Sequence, residues 1–469
     1  MREPPSRPCS GGRPLSGTTS SRPYSIDRRD MIQSDVCSSL REAVGRYRDA
    51  DRTHTRYRKH TKTRFTIIWD TRLDLLTYDA VTDDTPAGFD AEPEGLRLLA
   101  QGPLARASMH GHEVWLALDH PSVRRVLSDP RFSRAAAARP GGPVANPAGY
   151  NPDLLTSMDP PRHTTARRLI AQAFTPDLVR RLRPLIQHLV DGLLDDLAAH
   201  GKPADLIPLL AEPLPVMVIC ELLGVPAEDR PRIRHWAGRL MADTAYPPAE
   251  IAEAFTQVNT YLDALIARRR DDPDGALISA LIKINDRERV LAPPELTSNI
   301  QLLLIAGHET TVNQIGNSVV SLFRHPHQAA LLRDDPNLVP RAVDELLRYS
   351  RLLSSALPRV ATQDVDLGGA TIAAGDVVVP LIAVANHDPH AFPDPDRLDV
   401  TRSPAVPHLA FGHGPHYCPG AHLAQLELHT ALGTLLRRFP TLAPATDLDA
   451  LRWKPGLVVR ALHALPITW

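Results

Sequence analysis

The stretch FGHGPHYCPGAHLAQLE, which runs from Phe411 to Glu427, places a single cysteine among three histidines. Glycine and proline interrupt its first ten residues, and a helical pattern of apolar residues follows. Cys418 could be a zinc ligand, a nucleophile with a histidine as its base, or a buried cysteine in a glycine-rich turn. The histidines available to it are His413, His416 and His422.

The spacing of these residues argues against the first two interpretations. H-x2-H-x-C-x3-H matches no usual zinc pattern, no Cys-x-x-Cys pair accompanies it, and no sequence pattern of a cysteine nucleophile is present. A fourth interpretation explains more residues, because Cys418 directly precedes the helical sequence AHLAQLELHTALGTLLRR. Free backbone N–H groups and the helix dipole favour a thiolate at such an N-terminus. Gly412, Gly414 and Gly420 would let a flat partner approach, which suits the axial position of a haem iron.

Phe411, Gly414, Cys418 and Gly420 fit the pattern F-x-x-G-x-x-x-C-x-G. The stretch thus resembles the haem-binding motif of the cytochrome P450 family, and residues 65–469 are similar to a bacterial haem domain of that family. The resemblance implies a mainly α fold with small β-sheets, a helical triangular prism around a buried haem b (iron protoporphyrin IX). It makes Cys418 the proximal ligand of the iron, whose electron donation favours O–O cleavage. The motif residues expected against the cofactor are Phe411, Gly412 and Gly420.

A second motif, AGHETT, interrupts a long apolar helical pattern. Its His-Glu pair suggests the H-E-x-x-H zinc motif, but Val312 stands where the second histidine is required. From the residues alone, a polar interruption of a buried helix remains an equal alternative. The resemblance implies an oxygen-activating groove, in which Ala306 and Gly307 leave room for dioxygen. Thr310 would donate a hydrogen bond to the bound oxygen, and Glu309 would relay protons.

Glu345 and Arg348 stand at i and i+3 in the sequence DELLRYS. Such a pair is usually an exposed ion pair worth less than about 0.5 kcal/mol. The resemblance implies instead a buried pair, completed by Arg397 from the later sequence PDPDRLD, which holds the cysteine turn beneath the haem. Two nearby positions depart from the family: His387 stands where Arg is frequent, and Leu398 stands where Phe is frequent.

The haem of the family carries two propionates, and buried carboxylates need cations or hydrogen bonds. For each candidate partner in this chain, the alternative is an ordinary solvated cation or a loop histidine. The partners that the resemblance implies are His163, Arg167, Arg359 and His416.

The resemblance also maps a substrate pocket onto segments that are mixed apolar with a few hydroxyl groups. This lining suits a medium-sized, moderately polar natural product. The expected pocket residues are Leu302, Ile305, Ser354, Ser355, Ala356, Leu457 and Val458.

The function implied is a monomeric, cytoplasmic monooxygenase that hydroxylates or epoxidises a natural product of secondary metabolism with O2. Electrons would come from a ferredoxin and a ferredoxin reductase with NAD(P)H, because the sequence contains no fused flavin or iron–sulfur domain. Two alternatives remain open: oxidative C–C, C–N or C–O coupling without oxygen insertion, and a haem-binding protein without turnover. The intact pair Glu309 and Thr310 argues against the second of these.

Composition excludes several other classes of protein. Net charge is −1, from 53 basic and 54 acidic residues, so neither nucleic acid nor a membrane is expected as a partner. Four cysteines in 469 residues indicate a reducing compartment. Residues 1–64 hold 15 Lys and Arg against 7 Asp and Glu, a net charge of +8, with few large aliphatic residues. We expect them to form a disordered basic extension.

The sequence after residue 64 shows mainly helical patterns. Apolar residues recur at helical spacing in segments 179–201 and 251–270, and a further helix starts near Pro294 and runs for about 31 residues. Short β-type runs separated by glycine turns occur between residues 364 and 382.

Overall fold

A computed structural model describes residues 65–69, 73–78, 93–109, 112–139, 142, 151–242 and 245–469. The disorder expected for residues 1–64 therefore concerns a segment outside the described residues.

Helices make up most of the described chain, which confirms the expected mainly α fold. In chain order, the helices are α1 Pro93–Leu99, α2 His120–Ser128, α3 Arg134–Ala137, α4 Arg162–Ala173, α5 Pro176–His200, α6 Pro213–Leu223, α7 Arg230–Leu240, α8 Pro248–Asp271, α9 Leu277–Glu288, α10 Pro293–Arg324, α11 Pro326–Asp334, α12 Val339–Tyr349, α13 Ile382–Ala385 and α14 Ala421–Arg438.

The strands are short and form three small sheets. In chain order, they are β1 Phe65–Trp69, β2 Leu73–Tyr78, β3 Leu104–Met109, β4 His112–Ala117, β5 Phe132–Ser133, β6 Ala204–Asp205, β7 Arg359–Ala361, β8 Val365–Leu367, β9 Ala370–Ile372, β10 Val377–Pro380, β11 Ala443–Pro444 and β12 Pro466–Thr468. The largest sheet has the order β2-β1-β3-β4-β10-β7-β5, a second sheet has the order β11-β12-β6, and β8 pairs with β9. Only the β4–β10 pairing among these described strands is parallel.

The helices predicted from periodicity are confirmed as α5, α8 and α10. Thr175 caps α5 by accepting a hydrogen bond from the backbone N–H of Leu178, and Gly201 follows its last turn with a φ of 84°. The β-type runs predicted between residues 364 and 382 are β8, β9 and β10.

Helix α10 is the element that positions the site. Its 32 residues extend for about 48 Å, long enough to cross the domain. Its apolar side chains join those of α5, α6, α8, α9, α12 and α14 in one large buried cluster. Because α10 is buried along most of its length, a polar residue on it needs a specific partner or a function.

Candidate active site around Cys418

A cavity of about 330 Å³ lies between α10 and the turn that precedes α14. Cys418 lines this cavity, as do Ala306 and Thr310 from α10. The structure thus brings together the two motifs, although more than 100 residues separate them in the sequence. The predicted residues that line the cavity are Arg167, Leu302, Ala306, Gly307, Thr310, Ala356, Phe411, Gly412, His416, Cys418 and Gly420.

The turn around Cys418 is closed by its own backbone. The N–H of Cys418 donates to the carbonyl of Phe411 at 2.9 Å. Gly412 and Gly414 adopt left-handed φ values of 73° and 71°. A Cβ on Gly414 would lie 2.7 Å from the carbonyl oxygen of Leu127 at the end of α2. Gly414 therefore allows this turn to pack closely against α2.

The electrostatics of Cys418 are balanced between opposing effects. Burial raises the pKa of its thiol above the ordinary value, whereas the backbone N–H of Gly420, the guanidinium of Arg167 and the N–H of Ala421 lower it. The N–H groups at the helix N-terminus thus favour a thiolate, as expected from the sequence, but burial outweighs them and the net direction of the pKa is upward. An iron held by Cys418 would add positive charge that favours the thiolate.

Zinc can be set aside on geometry. Within the described part of the chain, no group of three or more His, Cys, Asp or Glu side chains converges to hold a metal ion. His422 is exposed on α14 and is not among the residues that line the cavity. A single thiol facing a large cavity fits a haem, which can be held by one such ligand from the protein.

On α10, Thr310 faces the cavity from the opposite side. Its hydroxyl donates to the carbonyl of Ala306 at 2.7 Å. In this arrangement the hydroxyl presents its lone pairs to the cavity, so it would accept a hydrogen bond there, whereas the sequence predicted a donor. A Cβ on Gly307 would lie 2.9 Å from Cδ1 of Ile219, so this glycine also allows α6 to pack against α10.

Glu309 lies on the flank of α10 rather than in the lining of the cavity. Its side chain is 12% exposed, and its Oε1 accepts from Nδ2 of Asn313 at 3.2 Å. Burial raises the pKa of this carboxyl, and the hydrogen bond from Asn313 and the charge of Lys454 oppose the rise. Glu309 can therefore hold and release a proton next to Thr310, which lines the cavity.

Arginine and histidine side chains gather at one edge of the cavity. His163 is buried, and its ring centroid lies 4.1 Å from that of His416. Burial, followed by the nearby charges of Arg359 and His163, lowers the pKa of His416 to about 2. Burial lowers the pKa of Arg359 to about 10. His163 Nε2 and Arg359 Nε have no hydrogen-bond partner among the described residues.

This edge fits the two carboxylates of a haem. Buried cations with unpaired donors are unfavourable by themselves, and an anion between them would satisfy both charge and hydrogen bonding. The four residues predicted as propionate partners lie close to one another in the structure. They are His163, Arg167, Arg359 and His416.

The sequence prediction missed Arg134, a further buried cation at this edge. Burial, with a smaller contribution from Arg359, lowers its pKa to about 9. Its guanidinium donates to the carbonyl of Thr156 at 2.9 Å and to that of Pro358. The sequence offered little to identify Arg134. It precedes four alanines in a segment that otherwise looked like a loop.

The predicted pair Glu345 and Arg348 is buried and bidentate, with N–O distances of 2.7 and 2.9 Å. The prediction that Arg397 is the third partner is wrong. Arg397 is exposed and pairs with Asp399 at 2.7 Å, whereas Arg402 reaches Oε1 of Glu345 at 3.0 Å. Arg402 takes this place because the loop from Pro393 to Arg402 folds back on itself and the guanidinium donates to carbonyls of that loop.

This buried network connects with the cysteine turn. Arg348 donates to the carbonyl of Asn386 at 2.8 Å, and Oδ1 of Asn386 accepts from the N–H of Leu409 at 2.7 Å. His387, where the family often has Arg, is buried with Nδ1 3.0 Å from the carbonyl of Ala383. Leu398 is fully buried, so both departures from the family are accommodated in the core.

Only some of the residues expected in the substrate pocket line the cavity. Leu302 and Ala356 line it, as do Leu352 and Leu353, which the sequence did not predict. Several expected residues lie elsewhere. Ser354 is buried and accepts from Nε of Arg351, Ile305 packs in the main core, and Ser355 is outside the lining. Leu457 and Val458 lie in a separate cluster behind Leu352 and Leu353.

Comparisons with known proteins agree with this geometry. A family model described as Cytochrome P450 matches residues 99–464. The chain is 44% identical to the nocardicin C N-oxygenase of Nocardia uniformis subsp. tsuyamanensis over 402 residues, which are 85% of this chain and 100% of that protein. It resembles the crystal structure of the LnmA cytochrome P450 hydroxylase from the leinamycin biosynthetic pathway of Streptomyces atroolivaceus S-140, with a TM-score of 0.76 and 43% identity over 81% of this chain and 97% of that chain. It also resembles a cytochrome P450 with biaryl coupling reactivity, with a TM-score of 0.77 and 37% identity over 82% of this chain and 99% of that chain. The chain therefore belongs to the cytochrome P450 family and is a monooxygenase of its bacterial class.

Proposed function

We propose that this enzyme holds a haem b in the cavity between α10 and the Cys418 turn and uses it to oxidise a natural product of secondary metabolism. The observation that carries the proposal is the single thiol of Cys418, which shares one cavity with Ala306 and Thr310 and has a cluster of buried arginines and histidines at the edge of that cavity. When bound, the haem supplies oxygen activation, in which one oxygen atom enters the substrate and the other leaves as water.

The residues of the chain would divide this work among them. Cys418 would bind the iron, and His163, Arg167, Arg359, His416 and Arg134 would hold or neutralise the propionates. Thr310 would accept a hydrogen bond on the cavity side of α10, and Glu309 would relay the two protons that the reaction consumes. Glu345, Arg348 and Arg402 would fix the loop that supports the cysteine turn.

Away from the arginines, the cavity is lined mainly by apolar side chains, which suits an uncharged part of a substrate. Leu302, Leu303, Leu352, Leu353 and Ala356 contribute an apolar wall, and Thr156 adds a hydroxyl group. Apolar pockets with few polar groups bind ligands of matching polarity. The names of the nocardicin and leinamycin enzymes support a natural product as the substrate.

We also infer that electrons reach the enzyme from a separate ferredoxin and ferredoxin reductase with NAD(P)H, in the cytoplasm, and that the enzyme works as a monomer. Reduced cysteines support the compartment, since Cys220 and Cys418 are both free. Within the described residues, no helix is both long and apolar enough to cross a bilayer.

Oxidative coupling is a second candidate, favoured by the resemblance to the enzyme with biaryl coupling reactivity. Product mass separates the two reactions. Hydroxylation or epoxidation adds one oxygen atom, whereas coupling removes two hydrogens per bond formed.

The proposal is tested by screening natural products for a substrate-induced spin-state shift, followed by turnover with a ferredoxin, its reductase and NADPH. We expect shifts with medium-sized natural products, and a product that gains one oxygen from 18O2. A screen in which only small terpenes or fatty acids shift the spectrum would overturn the natural-product assignment.

A further inference from the structure

A titratable side chain next to Glu309 has no part in the function proposed above. His308 is only 1% exposed, and neither of its ring nitrogens has a hydrogen-bond partner among the described residues. Burying two unpaired polar atoms is unfavourable, and an aliphatic side chain would fill the same space without that cost. The presence of an imidazole at this place therefore calls for a role other than packing.

His308 lies on a line of charged groups that starts at the surface. Its Nδ1 is 3.9 Å from Oε2 of Glu309, which a side-chain rotation would bring within hydrogen-bond distance. Arg234 on α7 is near enough to lower the pKa of His308, and its Nε pairs with Glu212 at 2.9 Å. Arg234 and Glu212 are 48% and 28% exposed, whereas the two α10 residues are buried. The line thus leads from solvent to Glu309.

The chemistry of His308 suits transfer along this line. Burial, with the charge of Arg234, lowers its pKa to about 3, so the ring is neutral at physiological pH. A neutral imidazole has one donor nitrogen and one acceptor nitrogen, so it can take up a proton on one side while releasing another. The charged groups that face Glu309 are Lys454, Glu212 and Arg234.

We propose that His308 conducts protons from the solvent-exposed Arg234–Glu212 pair to Glu309, and that it is thereby a positioning residue of the reaction that acts through Glu309. The inference rests on the proposed role of Glu309. In one transfer, a hydronium ion at the surface end gives a proton to the acceptor nitrogen and leaves as water, the N–H bond of the opposite nitrogen breaks, and that proton passes to the Glu309 carboxylate. The ring is left neutral as its other tautomer, and rotation of the side chain restores the first.

The test uses His308→Met, which removes both nitrogens, and His308→Gln, which keeps a donor and an acceptor but relays protons poorly. His429→Gln is the matched control, because His429 on α14 also has an unpartnered Nε2. The first readout is the rate at which the Glu309 carboxyl exchanges hydrogen for deuterium, followed on its infrared carbonyl band and assigned by Glu309→Gln. This readout does not depend on turnover.

The second readout is the fraction of NADPH electrons that are recovered in product rather than in hydrogen peroxide. We expect both His308 variants to slow carboxyl exchange and to lower this fraction by at least about tenfold. Substrate binding and the melting temperature should stay at or above wild-type values. The losses in His308→Met and Glu309→Gln should not add when the two changes are combined.

Unchanged exchange and unchanged coupling in both His308 variants would overturn the proposal. Equal losses in His429→Gln would also overturn it, since they would indicate a general disturbance. If Lys454→Met reproduced the losses and His308→Met did not, the route would run through Lys454 instead. If the wild-type enzyme made no product, the proposed function would fail, and the exchange measurement would still decide on His308.

Discussion

At the scale of single residues, Thr310 is held by its own helix while its oxygen faces the cavity. Thr310→Val removes this oxygen with little change of volume. We expect product formation to fall by at least about tenfold while NADPH oxidation continues, with the missing electrons appearing as hydrogen peroxide. Thr310→Ser is the control, because it keeps the hydroxyl. Equal coupling in the Val and Ser variants would show that the hydroxyl has no part in the reaction.

His387 gives a prediction about pH. Burial, with the charge of Arg348, lowers its pKa to about 4, whereas an unfolded histidine titrates near 6.5. Between these values the unfolded chain binds a proton that the folded protein does not, so the free energy of unfolding falls as the pH drops from 6.5 towards 4. The loss from this residue is at most about 3 kcal/mol. We expect urea denaturation of His387→Gln to show a weaker loss over this pH range than wild type. Parallel pH dependences in the two proteins would contradict this assignment.

At the scale of elements, the loop from Pro393 to Arg402 is tied to α12 through Glu345. Arg402→Met removes one of the donors to Oε1 of Glu345. Arg348 and the N–H of Asp399 still donate to this oxygen. We expect a loss of about 2 kcal/mol in the free energy of unfolding, with faster loss of haem. Arg397→Met is the matched control and should leave stability unchanged, because Arg397 is solvent-exposed. Thermal and urea denaturation check both. If Arg397→Met lowered the free energy of unfolding more than Arg402→Met, Arg397 would be the partner of Glu345, as first expected from the sequence.

The sequence contained both arginines, yet it did not indicate which one reaches Glu345. Periodicity located α5, α8 and α10, since an apolar stripe is a local property of the chain. The fold of an irregular loop depends on its hydrogen bonds to other parts of the molecule. Asp394 takes a left-handed φ of 48° there, and the guanidinium of Arg402 is fixed by carbonyls of the same loop. A partner chosen by position in the motif alone could not include this information.

At the scale of the whole molecule, the Cys418 turn and the AGHETT sequence were predictable because each carries its own residue pattern. The pocket wall was harder to predict. Leu457 and Val458 lie one layer behind Leu352 and Leu353, and nothing in the sequence distinguishes a side chain that lines a cavity from its neighbour behind it. Likewise, Arg134 lies at the edge of the cavity near Arg359 only because α3 packs beside β7, which comes more than 200 residues later in the chain. Such relations arise from tertiary packing.

The central claim is that the Cys418 thiolate binds the iron of a haem held in this cavity. It is tested most directly by the carbon monoxide difference spectrum of the dithionite-reduced protein. We predict the strongly red-shifted Soret band that thiolate ligation gives, and we predict that Cys418→His loses this band while still binding haem. A wild-type spectrum without the red-shifted band, in protein that has bound stoichiometric haem, would contradict the assignment of Cys418 as the ligand.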